Sequence, residues 1–444
     1  VLKNLKVGWD NKPLSAVDGA SNVYVDNCTI TKGDTFGALY INNMTVKDIT
    51  FYRCKFIGAN ANGVKLVDKG RPGRNLENIT FEKCHFENNA GMNFEIILRQ
   101  DTGYTITSGY KNIRLIDSSF IKSEADTNIN VSFDSNKLAD GTKSAGGYSE
   151  VRGCIIENGL YALELAGAIH MNVHKNVIKK TAPSNLDKAI SMSNIDYLES
   201  NTIFTDNDIE CNCKVEINGM GNIVKDNRII CDELVLFNGS KNIVKDNEIF
   251  GSVLLSNCSD NIVENNMIEK NTTGALIVFY YANTYNNIIR NNSFSKTAPP
   301  YFEHNLGAPN TDFFFSNYNG KRSEIHYKSL VRRTFEKSVT GTTTILTVIN
   351  KDPTKQREVF VKVDWNGRAG QTPKGGTFIL NFGTFDQKNV DALLTQIGTT
   401  VTQTRTTNAN GQIEHTISVA SADSLFAKVE IYGTQSAIET YDFK

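Results

Sequence analysis

Proline is scarce in this chain, with 8 among 444 residues, while asparagine is conspicuously common. That balance suits many turns and few helices. Net charge is nearly absent: 47 Lys and Arg against 48 Asp and Glu leave −1 at neutral pH, and no block of like charge stands out. No basic surface for nucleic acid is implied, and no acidic tail is present. No run of 18 apolar residues occurs, so no segment reads as a membrane-spanning helix and no membrane insertion is expected. The GxSxG, HExxH, P-loop and Gly-rich dinucleotide patterns are missing, as are Asp-rich calcium nonapeptides and any CxxC. No cofactor and no metal site is therefore expected. The N-terminus shows no charged-then-apolar signal pattern and no initiator Met, and it opens on a stretch that already alternates like a strand. A fragment is expected, with material missing upstream.

What is present is a repeat. Asn222-Ile223-Val224-Lys225-Asp226-Asn227 returns at 242–247, at 261–266 and, more loosely, at 287–292, the first three copies lying 20 and 19 residues apart. Taking the first Asn as anchor, apolar residues follow at +2 and +7, and a small or polar residue stands at +5. The same template fits residues around Val23, Ile49, Ile79, Ile113, Ser149, Met171 and Thr202, making eleven copies spaced 19 to 36 residues apart. Apolar residues two apart share one face of a strand. Such a unit cannot bury that face alone, but units stacked coaxially bury it and pair their backbones. Two-residue periodicity and many β-branched residues disfavour a helical solenoid. The expected fold is all-β: a right-handed parallel β-helix of about eleven turns over 1–297, an irregular connector over 298–335, and a C-terminal β-sandwich over 336–444.

The +5 slot accounts for half of the cysteines. Cys28, Cys54, Cys84 and Cys154 stand where other copies carry Ser118 or Asn176, Asn207, Asn227, Asn247, Asn266 and Asn292. Like side chains stacked at a bend form a ladder, and a buried free Cys serves as a small filler. Because this spacing follows the repeat, a disulfide framework or zinc site is disfavoured, and folding in a reducing cytoplasm is expected. A further ladder is expected at Asn218, Asn238 and Asn257.

Three successive turns are long, from 56 to 79, from 86 to 113 and from 120 to 149. Long loops in a compact repeat are commonly functional, so a groove is expected over the N-terminal two-thirds. A second strand follows each bend, at 64–66, 94–99, 129–134, 163–165, 190–192 and 215–217. Its polar residues form an outward column of Lys65, Glu95 and Arg99, Asn130, Ser132 and Asp134, Glu164, Ser191 and Glu216. Glycosidic hydrolysis needs two carboxyl groups, separated by roughly 5 to 5.5 Å for retention and roughly 6.5 to 9.5 Å for inversion. Asp134 with Glu164 suits the first spacing and Glu95 with Glu164 the second. Glu95, Glu164 and Asp134 are thus the candidate catalytic residues, with Glu95 and Glu164 foremost because apolar neighbours flank each in its strand. Arg99, Asp101, Tyr104, Lys65 and Tyr161 are the candidate substrate contacts: Arg99 for an acidic sugar or to tune a carboxylate, Tyr161 to offer a ring to a sugar face. A lyase would instead use Arg99, Lys65 or Tyr104 as base and to neutralise a uronate. A non-catalytic receptor-binding appendage is the third reading.

Beyond Phe294 the repeat fades, and from about 336 Thr- and Val-rich strands alternate with Gly and Asn-Gly turns, one at 408–411. A single short helix is expected at 389–397. The eleven-turn helix with its Asn ladders, the abrupt start without a signal peptide and the terminal sandwich together resemble phage tailspikes and related appendage proteins. That resemblance lies in architecture and carries no catalytic motif. It implies a homotrimer with helices side by side, attachment to a virion baseplate or tail through an upstream domain, and a surface that binds and often cleaves host surface polysaccharide outside the cell after synthesis in the host cytoplasm. The strands near 234–237, 253–255 and 276–281, apolar on both alternating faces, would then pack between subunits.

Overall fold

The computed structural model describes residues 1–10, 13–71, 73–99, 105–106, 108–136, 146–181, 188–193, 199–269, 275–281, 283–295, 302–305, 313–315 and 317–319, together with strands within 331–442. It falls into two units, Val1–Glu324 and Ile325–Lys444. No helix occurs among the described residues.

The first unit is the right-handed parallel β-helix. Each coil contributes three short strands, and equivalent strands of successive coils pair in parallel. One column is a 13-stranded sheet running from Leu2–Lys3 to Phe313–Phe315. The other two columns form a 22-stranded sheet, joined where Arg228–Phe237 and Glu248–Ser256 continue unbroken from one column to the next. The eleven repeat copies are consecutive rungs of the first column. Phe51, Phe81, Leu115, Val151, Val173, Phe204, Val224, Val244, Val263 and Ile289 stack in register along it. Each contributes roughly 1.5–3 kcal/mol by burial. Between the columns, Phe56, Phe86 and Phe120 stack at 4.8 and 4.4 Å, and Phe51 lies on Phe81 at 4.9 Å.

The stack runs past its expected C-terminal bound, and at the other end it holds a rung ahead of the first repeat copy. Leu2–Lys3 adds a rung before the first copy, and Phe302–Asn305, Phe313–Phe315 and Tyr318–Asn319 add a coil within the expected 298–335 connector. The sequence conceals this coil because Phe313–Phe315 replaces the Asn-Ile-Val pattern, although Asn317 keeps the ladder slot.

That ladder is a continuous hydrogen-bonded file. The Oδ1 atoms of Asn227, Asn247, Asn266 and Asn292 accept the backbone N–H of Asn207, Asn227, Asn247 and Asn266 at 2.9–3.0 Å. Their Nδ2 atoms donate to carbonyls such as those of Phe204 and Val224. Cysteines continue the file by donating from Sγ to backbone carbonyls, Cys54 to Val25 and Cys84 to Phe51. All eight cysteines are free and buried. The anchor asparagines form a second file, Asn222 to Asn242 to Asn261 to Asn287, beside the expected contact of Asn257 with Asn238. The bend itself comes from the residue before each ladder slot, which has positive φ: 51° at Asn27, 56° at Lys175, 55° at Asp226 and 55° at Asp246. Asn and Asp tolerate this region better than other side chains.

The second unit is antiparallel. Val331–Asn350 pairs with Ile413–Gly433, and among the described residues the strands form one seven-stranded sheet. The second layer of a sandwich is not confirmed. The segment expected as a helix contains strand Ala392–Ile397, paired with Lys374–Asn381, so tertiary pairing overrides local propensity there. The 408–411 turn lies outside the described residues, but the strands that flank it, Thr400–Thr407 and Ile413–Gly433, pair antiparallel.

Candidate functional site

The third column carries the polar row. Its strands Gly37–Asn42, Asn62–Asp68, Phe94–Leu98, Val131–Asp134, Tyr161–Ala166 and Lys188–Ser191 pair so that Tyr40, Lys65, Glu95, Ser132, Glu164 and Ser191 share one register position. The flanking inward residues Val64, Leu66, Phe94, Ile96, Val131, Phe133, Leu163 and Leu165 are fully buried. The alternation therefore presents the row outward along a line that rises about 4.8 Å per rung. Glu95 and Glu164 are two rungs apart, with Ser132 between them.

Each carboxyl has its own surroundings. Glu95 is almost enclosed, and a single oxygen, Oε2, receives both Lys65 Nζ at 2.6 Å and Asn62 Nδ2 at 2.7 Å. Asn62 is itself held, because its Oδ1 accepts the Met92 N–H at 3.0 Å. Glu164 accepts the Ser132 hydroxyl at 2.8 Å. Burial pushes its pKa up against that hydrogen bond, the charges of Asp134 and Glu95 push the same way, and Lys188 opposes them. Asp134 lies two residues beyond Ser132 on the same strand. Burial first, and then the charge of Glu95, raise it to about 6 against the pull of Arg99 and the Ser135 N–H. Each of the three carboxyls thus lies within electrostatic reach of another. Glu95, Asp134 and Glu164, named from sequence, are brought together.

The other candidates separate. Lys65 is committed to Glu95. Arg99 is exposed and forms no ion pair among the described residues. The Tyr161 ring lies under the Lys188 ammonium at 5.8 Å, and Lys188 in turn pairs with Glu216 at 2.7 Å. Asp101 and Tyr104 lie outside the described residues. Asn130 does not belong to the outward column. It is fully buried at the preceding corner, where its amide donates to the Phe120 and Glu157 carbonyls and accepts from Asn93. A buried backbone corner needs those bonds, and strand alternation does not extend into it. No group of His, Cys, Asp and Glu side chains suited to a metal occurs among the described residues.

Sequence reasoning passed over Asn62 and gave Ser132 a place in the outward column but no role. Asn62 and Ser132 are small polar residues whose importance depends on which rung they meet. Asp68 is buried, accepts the N–H groups of Gly70 at 2.7 Å and Leu76 at 3.4 Å, and is raised by burial to about 6. Tyr110 is wholly buried, its hydroxyl has no partner among the described residues, and burial with the charges of Asp134 and Asp68 raises its pKa.

Comparison with known proteins agrees with the fold. The right-handed β-helix region family matches residues 14–120. No curated protein matches the sequence. Among solved structures, the chain is similar to the tailspike gp49 of Acinetobacter baumannii bacteriophage Fri1, a capsular polysaccharide depolymerase, at 8% identity over 95% of this chain and 81% of that one, with a TM-score of 0.32. A mutant tailspike of E. coli bacteriophage HK620 in complex with pentasaccharide is 10% identical over 98% and 81%, with a TM-score of 0.34. The A-module of the Azotobacter vinelandii mannuronan C-5 epimerase AlgE6 is 15% identical over 71% and 82%, with a TM-score of 0.30.

Proposed function

We propose that the chain is a phage tailspike that binds and depolymerises a host surface polysaccharide by glycoside hydrolysis. The observation that carries this reading is the outward cluster of Glu95, Asp134 and Glu164 on neighbouring rungs, two of them with pKa values raised by burial. Hydrolysis needs one carboxyl that still holds a proton and a second that activates water or attacks. Asp134, raised to about 6, suits the proton donor. Glu164 suits the second role, since a raised pKa makes its carboxylate a better base than an ordinary one and Ser132 aims it. Glu95 is held by Lys65 and Asn62, so its part is to add negative charge to the burial that chiefly raises the other two. Lys188, Tyr161 and Arg99 flank the cluster as substrate contacts, with Asp101 and Tyr104 as further candidates.

The protein acts as a homotrimer on the virion tail, outside the cell, after synthesis in the host cytoplasm. The support is the row of Val235, Leu254 and Val278, which continues the outward register position as an apolar stripe toward the C-terminal coils. The test is incubation with purified host surface glycan. New reducing ends without unsaturated sugars are expected, and Glu164→Gln should abolish them while leaving glycan binding intact. Unsaturated ends would instead show a lyase, binding without cleavage would show an appendage, and full activity in Glu164→Gln would remove Glu164 from the site.

A further inference from the structure

The polar row does not end at Lys65. One rung further toward the N-terminus stands Tyr40, in register with Lys65. Its ring stacks on Phe36, centroids 4.7 Å apart and planes 10° from parallel. Phe36 is 46% exposed, whereas Phe51, Phe56, Phe81, Phe86 and Phe94 of the following coils are at most 4% exposed. The exposure is built. Asp34 Oδ1 accepts the N–H of Phe36 at 2.7 Å and of Gly37 at 3.3 Å, which holds the 34–37 loop in an Asx turn with the ring turned outward. The Phe36 and Tyr40 rings together form a small aromatic surface open to water beside the polar row.

The charges nearby indicate what covers it. Asp34 is occupied by backbone donors, and Glu95 is ion-paired with Lys65 at 2.6 Å. Arg99, on the same column one residue past Phe94–Leu98, is exposed and without an ion pair among the described residues. It directly follows a strand that lies two rungs from Tyr40 and one rung from Asp134, and its charge acts on both the Tyr40 phenol and the Asp134 carboxyl. Aromatic faces pack against the apolar face of a sugar ring, and a guanidinium fork matches a carboxylate.

We infer that Phe36, Tyr40 and Arg99 form a subsite for an acidic sugar, its ring on the aromatic pair and its carboxylate on Arg99. The substrate class is therefore a polysaccharide with a carboxylate-bearing residue in its repeat. This rests on the polysaccharide-binding reading above and narrows it. From Tyr40 the row reaches Glu164 in four rungs, about 19 Å at the spacing of paired strands. A bound chain would thus lie along the helix axis from the acidic subsite to the carboxyl cluster.

The test uses the full chain on a panel of immobilised bacterial capsular polysaccharides, acidic and neutral, each acidic member paired with its carboxyl-reduced form. Binding confined to acidic members is expected, weakened at least about tenfold by carboxyl reduction. Arg99→Gln should reproduce that loss on the native acidic form and add nothing on the reduced form. Arg99→Lys should recover part of it, and Phe36→Ala should weaken both forms. Binding unchanged by carboxyl reduction, binding only to neutral members, or no binding to any member would overturn the inference. The reduction arm does not depend on a variant folding. Cleavage, scored separately, distinguishes the two proposals: cleavage of a neutral glycan sinks this inference alone, and binding of an acidic glycan without cleavage sinks hydrolysis alone.

Discussion

Asp68 allows a quantitative check on the electrostatics behind the groove. Its carboxyl is 2% exposed, and its pKa is raised from the ordinary 3.8 to about 6 because burial outweighs its two backbone donors. A carboxyl that holds its proton more tightly folded than unfolded stabilises the folded state while protonated. That advantage is present below the unfolded value and is lost as pH rises to the folded one. The window is therefore about pH 4 to about pH 6, and the loss for this shift is about 3 kcal/mol. Asp68→Asn removes the ionisation and keeps Oδ1 for the Gly70 N–H, while the contact it disturbs, with Leu76 at 3.4 Å, is weak. Urea unfolding of both proteins from pH 4.5 to 7.5 isolates the effect, since all other titrating groups cancel in the difference. The variant should gain on the wild type as pH rises, by about 2–3 kcal/mol at the upper end. A difference that stays flat across this range, or one that favours the wild type at high pH, would refute the assignment of burial as the dominant cause.

Three further outcomes are expected. Hydrolysis that needs a proton on Asp134 should fall as pH rises above about 6, and Asp134→Asn should remove that limb along with most of kcat while leaving glycan affinity near the wild-type value in an equilibrium titration. Asn247→Ala deletes four ladder bonds and strands the Asn227 N–H, so it should lower unfolding stability by about 2–4 kcal/mol, and Asn247→Cys, the residue used in earlier coils, should cost less. Leu254→Glu sets a charge in the apolar row between Val235 and Val278, and if the proposed trimer packs on this row light scattering should show its loss with the circular dichroism of the coil unchanged.

The legibility of the site followed the length of the turns. In the short coils from 222 to 268, ladder, anchor and inward face could all be read from spacing, because nothing interrupts the register. In the long coils the outward parity of Lys65, Glu95, Ser132, Asp134 and Glu164 was still readable, since alternation is a local property of each strand. Asn130 was misplaced because it sits just ahead of its strand, at a corner where alternation no longer holds. The preference for Glu95 over Asp134 also came from strand context, and it changes once Lys65 and Asn62 are seen to occupy Glu95.

By itself, then, the sequence determined the coil. A period near 20, inward Val, Ile and Phe at two-residue spacing, and an Asn or Cys at each bend allow stacked parallel rungs and little else, because the unit has no other way to bury its apolar face. Only the tertiary structure decided the site. Whether Glu95 meets Lys65 or Glu164 meets Ser132 depends on how loops of unequal length close onto neighbouring rungs. Those contacts join residues 30 or more positions apart for Lys65 with Glu95 and for Ser132 with Glu164. Their burial, and so the raised carboxyls, exists only when the coils are stacked.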